Sequence, residues 1–171
     1  MSAPRPLLLP ATVQQHLFAT GLQTARALAG AVAATLQDGV QRRSRASLIV
    51  PGGRTPIAFL DQLAAQPLGW SEVTISLSDD RLVPADHADS NEGLVRRHLL
   101  QGASAAARFI PLVTPDSAPA TQPAIAERAL DTMPRPFDAA IERAVDRDPA
   151  LHPIAAVLQQ RTAPVHLYYS P

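Results

Sequence analysis

The chain has 171 residues, 46% hydrophobic and 18% charged, with a formal net charge of zero. That is enough apolar material for one core, so residues 1–171 are read as a single globular domain rather than a disordered segment. Balanced charge argues against a polyanion-binding surface, the lack of cysteine excludes disulfides, thiol catalysis and cysteine zinc sites, and no apolar run reaches membrane-span length.

All 15 basic residues are Arg. A P-loop lysine, a Schiff-base lysine and a lysine base are therefore excluded. The accompanying Ala and Pro richness points to compositional bias as the source. The Leu7–Pro10 patch is too short for a secretory signal core, so the expected location is the cytoplasm.

In chain order, Val13–Phe18 suits a first strand. Thr20 and Gln23 have capping-box spacing. Leu22, Ala25, Ala29, Val32 and Leu36 then recur at helical spacing, with Gly39 as the expected stop. Leu48–Val50 is the second strand. It runs into Gly52-Gly53, and Thr55 and Pro56 are placed as the N-cap and first position of a helix carrying Ile57, Leu60 and Ala64. Trp70 is expected to anchor the packing before a third strand, Val73–Leu77. Asp89-x-x-Glu92 has capping-box form and opens a helix through Leu94, Val95, His98 and Leu99.

Phe109–Leu112 is the fourth strand, and residues 113–123 form a loop rich in Pro, Ala, Ser and Thr. Ile125, Ala129 and Leu130 mark another helix. Pro136–Ile141 begins as a strand and runs, without a turn signal, into a helical Glu142–Val145. Ile154–Gln159 suits a short helix and Val165–Tyr169 a last strand. Strands alternating with helices give an α/β fold with a mainly parallel sheet.

Ligands of such sheets bind at the C-terminal strand ends. Two strands end in polar loops, Gly52–Thr55 and Asp79–Arg81, which would open on the same edge. A glycine turn leading into a helix N-terminus offers backbone N–H groups to an anion, above all phosphate, and Arg54 adds fixed positive charge. Without a ligand, the same turn is an ordinary strand–helix connection. Arg81 can grip phosphate bidentately while a neighbouring Asp holds it or binds hydroxyls, though Asp79-Asp80-Arg81 alone also suits a solvated turn. His87 has no second His at ligand spacing, so no metal is expected. Asp89 reads as a helix cap, and Asn91 falls in the first helical turn, where it can face the same pocket as Arg81. His98 is expected as a half-buried packing residue. His16, His166 and His152 sit in settings that do not tune a base.

Taken together, Leu48–Pro56, Trp70–Val73, Asp79–Pro84, His87–Asn91 and Arg97–Leu100 resemble, in order and spacing, the 6-phosphogluconolactonase family of the pentose phosphate pathway. One departure is Pro51, where the family usually has Ser. The resemblance runs to about Ile141 and resumes over Ile141–Ala144, Pro153–Leu158 and Val165–Pro171. It implies a modified Rossmann-like fold and hydrolysis of 6-phospho-D-glucono-1,5-lactone without cofactor or metal. Gly52, Gly53, Arg54, Thr55 and Arg81 would bind the substrate's phosphate or neighbouring hydroxyls, with Asp80 and Asn91 supporting them.

In the family, the strand resembling Pro136–Asp138 leads into Gly-x-Asp-Gly-His-Thr-Ala-Ser, whose His is the general base. Two further strands and a Gly-x-x-Lys follow. None of these stands in this chain. The family's domain is ~250 residues, an ordinary domain size, so about a third lacks a counterpart, as after an internal deletion near Asp138–Ile141. The resemblance therefore supplies no catalytic residue. It implies an impaired hydrolase or a sugar-phosphate-binding pseudoenzyme, and an exposed sheet edge that favours self-association. The glucosamine-6-phosphate deaminase type shares the fold and the Gly-Gly turn, but Asp80–Pro84 fits the lactonases better.

Overall fold

A computed structural model of the protein describes residues 13–115, 117–141 and 165–169. The helical readings at Glu142–Val145 and Ile154–Gln159, and His152, lie outside these residues.

The centre is a four-stranded parallel sheet in the order β4-β3-β2-β5. Strands β2 (Ala46–Val50) and β3 (Val73–Leu77) are buried along their whole length. That is the expected state of central parallel strands covered on both faces. They pair in register, Leu48 opposite Ile75 and Val50 opposite Leu77. Buried hydroxyls are satisfied locally, as where Ser76 donates to the Ile110 carbonyl at 2.8 Å.

Helix α1 (Gly21–Arg43) lies against one face through Ala25, Ala29, Val32, Ala33 and Leu36. Thr20 caps it by accepting the Gln23 N–H at 3.3 Å. The expected stop at Gly39 is wrong, because the helix continues to Arg43. Gly39 is buried inside it, and a Cβ there would run into the Asp138 carboxylate. Its missing side chain serves close packing, not termination. The true C-cap is Ser44, in the left-handed region at φ 58°, whose N–H reaches the Val40 carbonyl. Helix α2 (Ile57–Ala64) and helix α3 (Asn91–His98) share this core through Leu60, Leu63, Leu94 and Val95, together with Leu99 just beyond α3. Trp70, 2% exposed, packs there, and its indole N–H reaches the Gln66 carbonyl.

The opposite face is covered more thinly. Ile49, Ile110 and Met133 form a small cluster with Ala129 and Leu130 of helix α4 (Gln122–Leu130). Strand β4 (Arg108–Ile110) is shorter than the expected run to Leu112. Pro111 follows it and has no N–H to continue a ladder. The loop reading holds only to residue 118. A 3₁₀ turn at Pro119–Thr121 then leads into α4, whose Gln122 amide ties Thr114 and Ser117 back to the helix.

Strand β5 (Ala139–Ala140) follows a cis Arg135–Pro136 bond and pairs with β2 over only two residues. The buried Asp138 side chain fastens it, accepting the Ser47 N–H at 2.8 Å and pairing with Arg43. Strands β1 (Val13–Leu17) and β6 (Val165–Tyr169) form a separate parallel pair. His16 and His166 are 3.1 Å apart there, and the rings of Tyr168 and Phe18 extend the row. Burial raises the Tyr168 hydroxyl pKa above its ordinary value. Among the described residues, no helix is long and apolar enough to cross a membrane.

Candidate functional site

Strands β2 and β3 are parallel neighbours, so their C-terminal ends leave the sheet on one edge, joined there by a Ser78 N–H bond to the Val50 carbonyl. Helix α3 begins beside them. Its N-cap is Ser90, whose hydroxyl accepts the Gly93 N–H at 3.0 Å. The expected cap at Asp89 is therefore one residue too early, and Asp89 is exposed. Ser at the cap position was visible in the sequence but competed with an adjacent Asp of similar preference.

Asp80 closes the start of α3. Its Oδ1 accepts the Arg81 and Asn91 N–H groups, each at 2.8 Å, and its Oδ2 accepts that of Glu92 at 3.0 Å. A carboxylate at a helix N-terminus satisfies orphan donors and complements the helix dipole. This one docks the β3 loop onto α3. Asn91, 2% exposed, then joins three segments. Its Oδ1 accepts from the Gly53 N–H at 3.2 Å and from Arg81 Nη1 at 2.5 Å, and its Nδ2 donates to the Asp79 carbonyl at 2.9 Å.

The glycine turn is built around that amide. A Cβ at Gly52 would overlap the Asn91 side chain, and Gly53 adopts φ 84°, where other residues are strained. The Gly53 N–H is thus engaged internally, not free as the sequence reading had it. Thr55 is not the N-cap, and Pro56 is not the first helical residue. Pro56 takes the cap position with helical φ of −78°, because the Arg54 carbonyl already accepts the Ile57 N–H in a tight turn. Thr55 and Arg54 are exposed, and among the described residues Arg54 forms no ion pair. The structure therefore brings Gly52, Gly53, Asp80, Arg81 and Asn91 into one hydrogen-bonded wall, with Arg54 and Thr55 on the turn that forms part of it. Asp79, placed by the sequence in the same loop but given no separate role, is a further member, partly through its main-chain carbonyl.

The sequence model for glucosamine-6-phosphate isomerases/6-phosphogluconolactonase matches residues 20–142. The chain belongs to this family. A curated 6-phosphogluconolactonase from Pseudomonas aeruginosa is 46% identical over 132 residues, covering 77% of this chain and 56% of the relative. One from Pseudomonas putida is 48% identical over 106 residues, 62% of this chain and 44% of the relative. The crystal structure of a 6-phosphogluconolactonase from Shewanella baltica superposes with a TM-score of 0.72 at 38% identity, over 75% of this chain and 55% of that one. The chain spans about half the length of the curated relatives it matches. As in the family's α/β architecture, all the described strand pairs are parallel.

Chemically, the wall offers a guanidinium held by its neighbours, a second, exposed guanidinium and an exposed Thr hydroxyl, all suited to an anion. A placed base is another matter. His87 is exposed, its Nδ1 accepts the Asp89 N–H, and it lies 3.9 Å from the Asp89 carboxylate. His98 is half-buried, as expected, and also meets Asp61 at 2.9 Å. It sits two turns along α3 from Asn91. Among the described residues, no cluster of three or more His, Asp or Glu could hold a metal ion.

Proposed function

We propose that this wall binds the phosphate of a six-carbon sugar lactone, and that the chain carries the phosphate-side half of a 6-phosphogluconolactonase site. The observation behind this reading is the bond from Arg81 to Asn91 that also fixes the glycine turn. In the lactonase reaction a base takes a proton from water, the oxygen adds to the lactone carbonyl, and the tetrahedral intermediate expels the ring oxygen. Arg81, Arg54 and Thr55 would hold the phosphate at the far end of the substrate, and Asp80 and Asn91 would keep Arg81 and the turn in place. The general base has no counterpart in the sequence, consistent with an internal deletion near Asp138–Ile141. The chain then acts as a weak hydrolase or a sugar-phosphate binder in the cytoplasm, where free sugar phosphates are found.

Calorimetric titration with 6-phosphogluconate tests the reading. Saturable binding is expected, and Arg81→Ala should weaken it about ten- to a hundredfold, the range for losing hydrogen bonds to a charged group. Heat that does not saturate, or binding indifferent to Arg81→Ala, would sink it. Ammonia release from glucosamine 6-phosphate would favour the deaminase branch instead.

The same reading extends to assembly. Among the described residues β5 ends the sheet, and Phe137 beside it is 36% exposed. Open edges template pairing with another chain. Sedimentation velocity should show self-association that grows with concentration, and a single monomer species across a hundredfold range would contradict it.

A further inference from the structure

Asn91 has no atom left for a substrate. Its Oδ1 receives two donors, Gly53 N–H and Arg81 Nη1, and its Nδ2 faces two acceptors, the Asp79 carbonyl and, at 3.3 Å, the Asp79 carboxylate. That uses both lone pairs and both hydrogens of an amide that is almost fully buried. Yet each partner belongs to a loop at the strand ends where a ligand would sit.

We infer that Asn91 is a positioning residue, which fixes Arg81 and the glycine turn in the arrangement that receives an anion, and that position 52 is glycine to admit it. This rests on the phosphate reading of the wall. Arg81 is held at two points, its main-chain N–H by Asp80 and its Nη1 by Asn91. A long, exposed side chain held this way loses little further entropy on binding, and among the described residues its Nε and Nη2 remain for a bidentate grip. On the other side, Asn91 takes the Gly53 N–H, so the turn meets a ligand through Arg54 and Thr55. The three atoms nearest a Cβ built on Gly52 all belong to the Asn91 amide. The two positions are therefore a size-matched pair, and a methyl group at one is tolerated only if the other is cut back.

The test uses the full chain and its Asn91→Ala, Asn91→Asp, Gly52→Ala and Gly52→Ala/Asn91→Ala variants. Three readouts are followed: phosphate affinity by calorimetry with inorganic phosphate, the order of the Arg81 guanidinium by NMR relaxation, and the urea midpoint. Asn91→Ala should weaken phosphate binding about tenfold, the loss of one bond to a charged group, and leave Arg81 as mobile as an unattached surface arginine. Asn91→Asp keeps the acceptor and should keep Arg81 ordered, at a lower urea midpoint because its second oxygen meets the Asp79 carbonyl and carboxylate in place of an N–H donor. Gly52→Ala should lower the urea midpoint in the parent chain and much less in the Asn91→Ala chain.

An Arg81 equally ordered in Asn91→Ala, or disordered in Asn91→Asp, overturns the inference. So does an equal effect of Gly52→Ala in both backgrounds. Should the parent chain bind no phosphate, the phosphate reading falls, and the Arg81 signal and the Gly52–Asn91 coupling alone decide the positioning role. If Asn91→Ala does not fold, Asn91→Asp and Gly52→Ala carry the comparison: an ordered Arg81 in the first supports the role, and an undiminished urea midpoint in the second overturns it.

Discussion

Asp138→Ala is expected to lower stability by about 3 kcal/mol, the scale for removing one partner of a buried ion pair. The Asp138 side chain is 6% exposed and fastens the start of β5 to two elements, α1 and β2. It pairs with Arg43 in the last turn of α1, accepts the Ser47 main-chain N–H in β2, and lies against Gly39. Without it the Ser47 N–H has lost an acceptor, and the Arg43 guanidinium faces a void. Arg43 is about a third exposed and can turn partly to water, which keeps the cost below the upper end for a fully buried pair. Urea unfolding measures it through the midpoint at constant slope. Arg43→Ala alone should cost a comparable amount, because it strands the buried Asp138 carboxylate, and adding it to Asp138→Ala should cost little more, since the two share one interaction. A loss under 1 kcal/mol for Asp138→Ala would show that β5 is held by its short ladder to β2 instead.

That clamp also shows where sequence reading reached its limit. Strand β2 was legible because Leu48–Val50 is a short unbroken apolar run, and β3 because Val73, Ile75 and Leu77 alternate with Thr74 and Ser76 at the strand period of two. The Thr20 cap was legible because capping is local. Gly39 was misread because a helix stop and a close-packing position both call for glycine, and only the arrival of Asp138, 99 positions later in sequence, tells them apart. Thr55 and Asp89 failed for a related reason. Each has good cap chemistry, but the cap went to the residue whose backbone the turn allowed. At the site, the sequence brought Arg81 and Asn91 together because both follow β3 on one sheet edge. It could not show that Asp80 and Asn91 turn inward, as their bonds to main-chain groups in three separate segments exist only once the loops dock.

Turnover of 6-phosphogluconolactone by this chain is expected to fall ~10²–10⁴-fold below that of the Pseudomonas aeruginosa relative, the usual contribution of a general base. A clamp on the phosphate end binds substrate and transition state about equally, so by itself it lowers KM without raising kcat. What raises kcat is the group that takes the proton from water as its oxygen reaches the carbonyl. The histidines of the loop and of α3 do not supply that group as they stand: His87 has its Nδ1 engaged by the Asp89 N–H, and His98, whose pairing with Asp61 leaves Nε2 open among the described residues, sits two turns along α3 from Asn91. The lactone also opens spontaneously, so the rate must be taken as the excess over a protein-free blank, followed by base uptake at constant pH. Residual excess, if present, should vanish in Arg81→Ala, because only substrate held at the wall can benefit from the chain. It should be unaffected by His98→Gln, which leaves the wall intact. A kcat equal to that of the relative would mean that a base operates from this chain after all, with His87 the first residue to replace, since its loop continues directly from Arg81.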